Sequence, residues 1–558
     1  MSSHLITQHA CKELDALDPL ASFRSQFELP EHIIYLDGNS LGALPKATAP
    51  RISQVVQEEW GRDLISSWNK HGWWQAQQRV GRKISRIIGA AADEVLVADS
   101  TSINLFKVVA AALDLHPGKI LVSERANFPT DLYMLEGLIR HLGRGHQLRL
   151  VDSPEELLTA IDGDVAVVVL THVSYRTGRM LDMAAITARA HARGALVVWD
   201  LAHSAGAMPL QLSRYDVDFA VGCGYKFLNG GPGAPAFLYV AKRLQERVQQ
   251  PLSGWFGHAR PFAFEPSFDP APSIQRFQCG TPPIISLAAL EVGVDLMLTV
   301  PLSTVREKSV ELGRLFRRLV DLECFEWDFQ LASPGDVAER GSQICFTHTE
   351  GYSIMQALIK LGVVGDFRAP DILRFGFAPL YVRHVDVWDA VQKLKLVMQE
   401  RLWDRAEYRR SALGEEDGLA KRLTNAYSGS KKKKNNSGLA EEVKRLQRHA
   451  AETEAQLKQV EEELESLRAS TASTIKLPGA KSKEPSAIPS EVADPERAKG
   501  GHRKAASKFK NVIRAAATKA WAATRLLSRK SSTFEVTVGA LERIKEPMDW
   551  ENLKIDWF

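Results

Sequence analysis

Three side chains in a short stretch of this 558-residue chain have types and spacing suited to chemistry on a bound cofactor. The apolar run Val197-Val198-Trp199 ends in Asp200, and His203 lies three residues further on. A second apolar run, Phe219–Gly222, leads into Cys-Gly-Tyr-Lys-Phe-Leu-Asn-Gly-Gly-Pro-Gly, which sets Lys226 among small residues. A strand-end acid followed by a lysine 26 residues later meets the two demands of pyridoxal phosphate (PLP). PLP needs an amine for its Schiff base and a carboxylate that keeps its pyridinium nitrogen protonated, so that the ring can take up electrons. A cationic or desolvated neighbourhood would lower the lysine pKa and make it a better nucleophile. Taken singly, Asp200 could cap the next helix, Lys226 could be a surface residue and His203 a core histidine. Taken together, with strand-end placement and a glycine-rich surround, they favour PLP. Upstream, the apolar run Val95–Ala98 precedes a helical pattern over 103–113. Thr101 and Ser102 would then sit at a helix N-terminus, where backbone N–H groups and the macrodipole attract phosphate. The same pair could equally be a plain N-cap.

The surrounding pattern supplies elements to hold these groups. Runs of strand length at 165–170, 195–199, 219–222 and 236–240, with a helical segment at 183–192 between the first two, predict a mostly parallel sheet covered on both faces. Sites in such sheets lie beyond the carboxyl ends of the strands, where Asp200 falls. From about residue 280 the pattern reads as more helical, and a smaller C-terminal domain is expected there. The 45% apolar and 25% charged composition is that of a soluble globular protein with a sizeable core. Five widely spaced cysteines without a Cys-x-x-Cys pair argue against a disulfide scaffold or a cysteine-ligated zinc site, and point to a reducing, cytoplasmic setting. The longest purely apolar stretch, Val165–Leu170, is far short of a membrane span, and the N-terminal residues carry no basic-then-apolar signal pattern.

The chain changes character near Gly414. Residues 414–558 hold 28 Lys and Arg against 21 Asp and Glu, a net of +7, whereas residues 1–413 carry a net of −3. A basic, polar linker over 414–438 precedes a 4-3 apolar seam from Leu439 to Leu467, which predicts a coiled coil over 439–468 or, alternatively, a lone amphipathic helix. Residues 469–558 read as mostly disordered, with a basic amphipathic helix at about 503–530. Such a helix could bind a membrane surface, nucleic acid or a protein groove, or remain a solvated tail.

Eight runs in residues 10–412 together resemble kynureninase, a family of fold-type-I PLP enzymes. They are Leu36–Gly42 (Leu-Asp-Gly-Asn-Ser-Leu-Gly), Thr101–Phe106, Asn127–Asp131, Trp199–Gly206, Gly224–Gly233, Pro251–His258, Cys279–Pro283 and Leu373–Tyr381. The resemblance implies an α/β fold-type-I architecture. An N-terminal arm (1–50) would precede a large PLP-binding domain (51–290) with a mostly parallel seven-stranded sheet, followed by a smaller α+β domain (291–413). It implies hydrolysis of L-kynurenine, or of its 3-hydroxy form, to the anthranilate and L-alanine, a step of tryptophan catabolism and pyridine nucleotide biosynthesis. Lys226 would form the Schiff base and move protons, and Asp200 would pair with the pyridinium nitrogen. Phe128 would stack on the ring with His203 close by, and Thr101, Ser102 and Tyr225 would hold the phosphate. Asp131 and Thr171 would line the pocket, and Trp255 and Thr281 would reach it from the second subunit of a homodimer. Tyr225 could also donate a proton. Arg374 would grip the α-carboxylate of the small-molecule substrate, a task that suits its planar fork.

Two other readings compete. A desulfurase or aminotransferase of the same fold would use the same lysine, but a desulfurase needs a reactive cysteine, and neither Cys324 nor Cys345 carries a low-pKa signature. A tail-targeted scaffold on an inactive enzyme domain would be free to lose Lys226, Asp200, His203 and Arg374, all of which are present.

Overall fold

The structure, a computed structural model, describes residues 6–409. The linker, coiled coil and basic helix expected after residue 413 lie outside the described residues. Two sheets organise the described part. The larger has seven strands: β1 (Val95–Val97), β2 (Ile120–Glu124), β3 (Gln147–Val151), β4 (Val165–Thr171), β5 (Leu196–Asp200), β6 (Phe219–Gly222) and β7 (Phe237–Val240), in the order β1-β7-β6-β5-β4-β2-β3. Only β7 runs antiparallel to its neighbours. Every residue of β4 is buried, which is why it reads as an unbroken apolar run rather than an alternating one.

The smaller sheet is antiparallel throughout, with strands β8 (Gln330–Leu331), β9 (Gln343–Thr347), β10 (Asp366–Arg368) and β11 (Ile372–Gly376) in the order β8-β9-β11-β10. The sequence pattern suggested mainly helices here. Helices do dominate by length, with Leu302–Glu323 spanning 22 residues, but short buried strands of mixed residues carry the sheet. The N-terminal run Leu36–Gly42 wedges between the two sheets. The Gly42 amide donates to the Tyr225 carbonyl (2.8 Å), and a Cβ on Gly42 would collide with the Lys226 carbonyl. A Cβ on Gly376 would likewise strike the Asn39 side chain. This wedge ties the small sheet to the loop that carries Lys226.

Helix α2 (Ile284–Met297) backs that loop, and helix α1 (Ala76–Ile88) packs against α2. A Cβ on Gly293 of α2 would meet the Leu228 carbonyl, so glycine permits the close approach. Arg79 of α1 grips both oxygens of Glu291 on α2 (2.8 and 2.9 Å), and Lys83 adds a third contact at 2.8 Å. Burial works against the Glu291 carboxylate, but these cationic hydrogen bonds prevail and bring its pKa to about 2. A depressed carboxyl pKa stabilises the fold above the unfolded value near ~4.3, and that stability is lost as pH falls toward 2. With discount for partial exposure, Glu291→Gln is expected to cost about 2 kcal/mol at pH 7. Denaturation midpoints for the two proteins should converge as pH drops from 4 toward 2.

Candidate active site

Parallel pairing places Thr171 and Asp200 in register at the carboxyl ends of β4 and β5, and β6 delivers the chain into the Lys226 loop beside them. Around this edge lies a cavity of about 150 Å³, lined by Thr101, Ser102, Phe128, Asp131, Thr171, Asp200, His203, Tyr225 and Lys226, with Ser100, Thr130, Tyr175 and Ala202. These are the residues anticipated for the cofactor, apart from Trp255 and Thr281. A second cavity of about 490 Å³ shares Phe128, Thr171 and Tyr175 with the first and extends past Arg176 to Thr347 and Ile372 of the small sheet.

The charged groups are arranged to hold one proton between two acids. Asp131 and Asp200 are hydrogen-bonded to each other and almost fully buried. Burial raises both pKa values, and the Asp200 charge raises that of Asp131 further. Lys226 and the Ala202 amide, which donates to Asp200 Oδ1 at 2.7 Å, favour the charged form of Asp200. These causes favour the neutral form at Asp131 and the charged form at Asp200. Lys226 Nζ lies 2.9 Å from His203 Nε2. Burial, then the nearby Lys226, Arg374 and Arg368, push the His203 pKa well below its usual value. His203 is neutral, and its Nε2 accepts from Lys226, which places the ring proton on Nδ1. Burial also raises the Tyr225 pKa, with Cys223 and Asp200 adding to it, so its hydroxyl keeps its proton and acts as a donor.

Helix α3 (Thr101–Leu115) opens at the cavity. Its cap is Ser100, whose hydroxyl accepts from Ile103 N at 3.4 Å, so Thr101 and Ser102 lie in the first turn with side chains available for an anion. The preceding Asp99 is left-handed, with φ of 44°, and is held there by Lys107, a fully buried lysine that also donates to the Phe277 carbonyl at 2.6 Å. Phe128 presents its ring at the start of helix α4 (Pro129–Leu142), edge-on to Tyr175 with centroids 5.2 Å apart. Asn127 accepts from the Thr171 hydroxyl and from the Phe128 amide (2.7 Å), which fixes both.

PLP fits this set. Asp131 Oδ2 and His203 Nδ1 are buried without a hydrogen-bond partner, on residues that line a pocket also offering an amine, a second acid, an aromatic side chain and a helix N-terminus. A buried polar atom without a partner is costly unless a ligand completes it.

The remaining anticipated residues sit elsewhere. Trp255 and Thr281 do not line the cavity of their own chain, and both are exposed. Trp255 belongs to an aromatic cluster with Trp74, Phe256 and Phe262, at centroid distances of 5.8, 4.5 and 6.1 Å. Arg374 is 1% exposed and does not line the cavity, although it is close enough to lower the His203 pKa. Its Nε donates to Asp366 Oδ1 (2.8 Å), Nη2 to Asp366 Oδ2 and to Ser40 Oγ (2.6 Å), and Nη1 to the Tyr175 carbonyl (2.6 Å). The sequence reading named none of Ser40, Tyr175, Asp366, Asn127, Asp99 or Lys107 as site residues. The one signal was that Ser40 and Asn127 fall inside the motif runs.

Residues 305–394 match a family model described as the kynureninase C-terminal domain. A kynureninase from Pseudomonas fluorescens is 51% identical over 409 residues, covering 72% of this chain and 98% of that protein. A kynureninase from Burkholderia mallei (strain SAVP1) is 51% identical over 407 residues, with the same coverage, 72% and 98%. Among solved structures, the apo cysteine desulfurase from Thermococcus onnurineus NA1 shares the fold at a TM-score of 0.58 and 19% identity, covering 68% of this chain and 97% of its own. The cysteine desulfurase CsdA from Escherichia coli does so at 0.59 and 20%, covering 68% and 98%. A C-DES variant with glycine covalently linked to its PLP cofactor matches at 0.59 and 17%, covering 67% and 98%.

Proposed function

This chain belongs to the kynureninase family, and from that premise we propose that it hydrolyses the Cβ–Cγ bond of L-kynurenine, with PLP as cofactor, to give anthranilate and L-alanine. The observation that carries the reading is the convergence of Lys226, Asp200, His203, Phe128 and the α3 N-terminus on one cavity. 3-Hydroxy-L-kynurenine is the alternative substrate, and the choice depends on whether a buried polar group awaits the extra hydroxyl.

When bound, PLP supplies an electron-withdrawing ring that stabilises charge developing at the substrate α-carbon. The protein supplies the rest. Asp200, whose charged form is favoured by Lys226 and the Ala202 amide, would pair with the pyridinium nitrogen. Thr101, Ser102, Tyr225 and the first-turn amides of α3 would hold the phosphate, and Phe128 would lie against the ring. Lys226 Nζ would take the proton from the substrate α-carbon and return one to it, oriented by the neutral His203 Nε2. Water supplies the oxygen with which the aryl fragment leaves as anthranilate, the electron pair of the broken bond stays on Cβ, and Tyr225, which keeps its hydroxyl proton, can donate it to Cβ. Arg374 anchors the α-carboxylate.

The cysteines weigh against a desulfurase reading. Burial raises the pKa of all five thiols, with Cys324 and Cys345 pushed up to about 12, so none is poised as a thiolate. All five are free, which supports a cytoplasmic setting.

The active unit in this reading is a homodimer with shared sites. Trp255, Phe262 and Phe264 are 40%, 66% and 79% exposed and touch in sequence, an apolar surface that a second copy would cover. Trp255 and Thr281 would then complete the partner's cavity. Turnover of L-kynurenine to equimolar anthranilate and L-alanine tests the reaction. Mixing inactive Lys226→Ala with inactive Trp255→Ala tests the sharing. Heterodimers should recover part of the activity by pairing one intact site from the two chains, whereas sites built within one chain would recover none.

A further inference from the structure

We infer that Asp366 is the positioning residue that makes Arg374 a carboxylate receptor, an inference that rests on the reading of Arg374 as the substrate anchor. The two residues are register partners on β10 and β11, so their side chains share one face of the small sheet. Asp366 takes the Nε/Nη2 edge of the guanidinium with both oxygens, the bidentate geometry that fixes the plane of the fork. Asp366 is itself held. Its Oδ2 accepts from Arg368 Nη2 at 2.7 Å and from the Ser40 hydroxyl at 2.9 Å. Ser40 closes the triangle by accepting from Arg374 Nη2.

This leaves the other end of the fork for a ligand. Of the five N–H donors of arginine, Nε and both on Nη2 are engaged by Asp366 and Ser40, and Nη1 has one bond, to the Tyr175 carbonyl. Tyr175 lines both cavities, so the Nη1 end is the end nearest the reaction site. A carboxylate arriving there meets the second Nη1 hydrogen and, if the Ser40 hydroxyl turns its proton away from Asp366, a hydroxyl donor beside Nη2. Without Asp366 the side chain would lose its fixed plane, and a buried guanidinium would lack its counter-charge. Asp37 is unsuited to replace Asp366, because its nearest approach to Arg374 is 4.0 Å and its Oδ1 has no hydrogen-bond partner.

The test is titration of the PLP-loaded full chain with L-alanine, followed by its visible absorbance band, together with kcat and KM for L-kynurenine. Asp366→Asn is expected to weaken L-alanine binding and raise KM by about 10- to 100-fold while kcat changes by less than about 3-fold. Asp366→Glu, which keeps the charge, should restore part of the affinity. Ser40→Ala, which leaves the sheet pair intact, should raise KM by about 3- to 10-fold. These two variants carry the test where Asp366→Asn does not fold. L-Alanine affinity and KM unchanged in the folded variants, or kcat falling with KM constant, would overturn the inference. Wild-type protein that binds L-alanine but yields no anthranilate would sink the kynurenine reading and leave the role of Asp366 standing.

Discussion

Lys226→Ala is expected to lower kcat for L-kynurenine by about 10⁴-fold or more. Nothing nearby can replace it. Among the described residues, Lys226 is the only lysine lining the cavity, and His203 beside it has its pKa pushed well below the usual value, which makes it a weak base. The loss is not structural. The side-chain hydrogen bond of Lys226 is to His203, whereas the loop conformation rests on backbone contacts such as Asn229 N to Lys226 O (3.0 Å) and Gly230 N to Gly224 O (2.9 Å). The variant should therefore melt near the wild-type temperature and still bind PLP, but release it to denaturant without any borohydride-fixable bond. Rapid-quench measurement of anthranilate formation checks the rate. Residual turnover within tenfold of wild type would remove Lys226 from the proton transfers.

The second large effect is at Asp200. Asp200→Ala is expected to reduce kcat by about 10³-fold, the scale seen when one preorganised electrostatic partner is removed, and to weaken PLP retention. Asp131 is a poor substitute for the lost charge, because burial, the larger cause, still raises its pKa. Asp200→Ala loses the side-chain bonds to the Ala202 amide and Asp131, but the strand keeps its backbone pairing. His172 N donates to the Asp200 carbonyl at 2.9 Å, and Leu201 N donates to Val221 O at 2.8 Å. Asp200→Glu should retain more activity than Asp200→Ala, and PLP dissociation followed by gel filtration should rank the three proteins in the same order. Equal PLP retention and equal kcat in all three would show that the acid does not face the ring.

The parts of the site that were legible in sequence share a physical cause. Asp200, His203 and Lys226 lie within one short stretch, at strand ends and in a glycine-rich loop, so local pattern alone places them at the carboxyl edge of a parallel sheet. Thr101 and Ser102 were placed correctly at a helix start, although Ser100 is the residue that caps it. Asp131, Thr171 and Phe128 carry no local signal of chemistry and emerged only through family resemblance. The Arg374 setting was not legible at all. Its partners Ser40, Tyr175 and Asp366 come from three separate segments, with Ser40 and Arg374 334 residues apart, and only the meeting of two sheets around the Leu36–Gly42 wedge brings them together. The small sheet was implied by the family resemblance but not visible in the residue pattern, for a related reason. Its strands have two to five residues, too short for periodicity to show, and they sit among longer helices.

The central claim is that one cavity uses Lys226 and PLP to cleave L-kynurenine. The most direct test is a single absorbance experiment on the purified full chain supplied with PLP. A visible band that disappears on borohydride reduction, with the label mapped to Lys226, and release of fluorescent anthranilate when L-kynurenine is added to an unreduced sample, is the expected result. Absence of a visible band after PLP addition would contradict the account, as would a band whose reduced adduct maps to a residue other than Lys226.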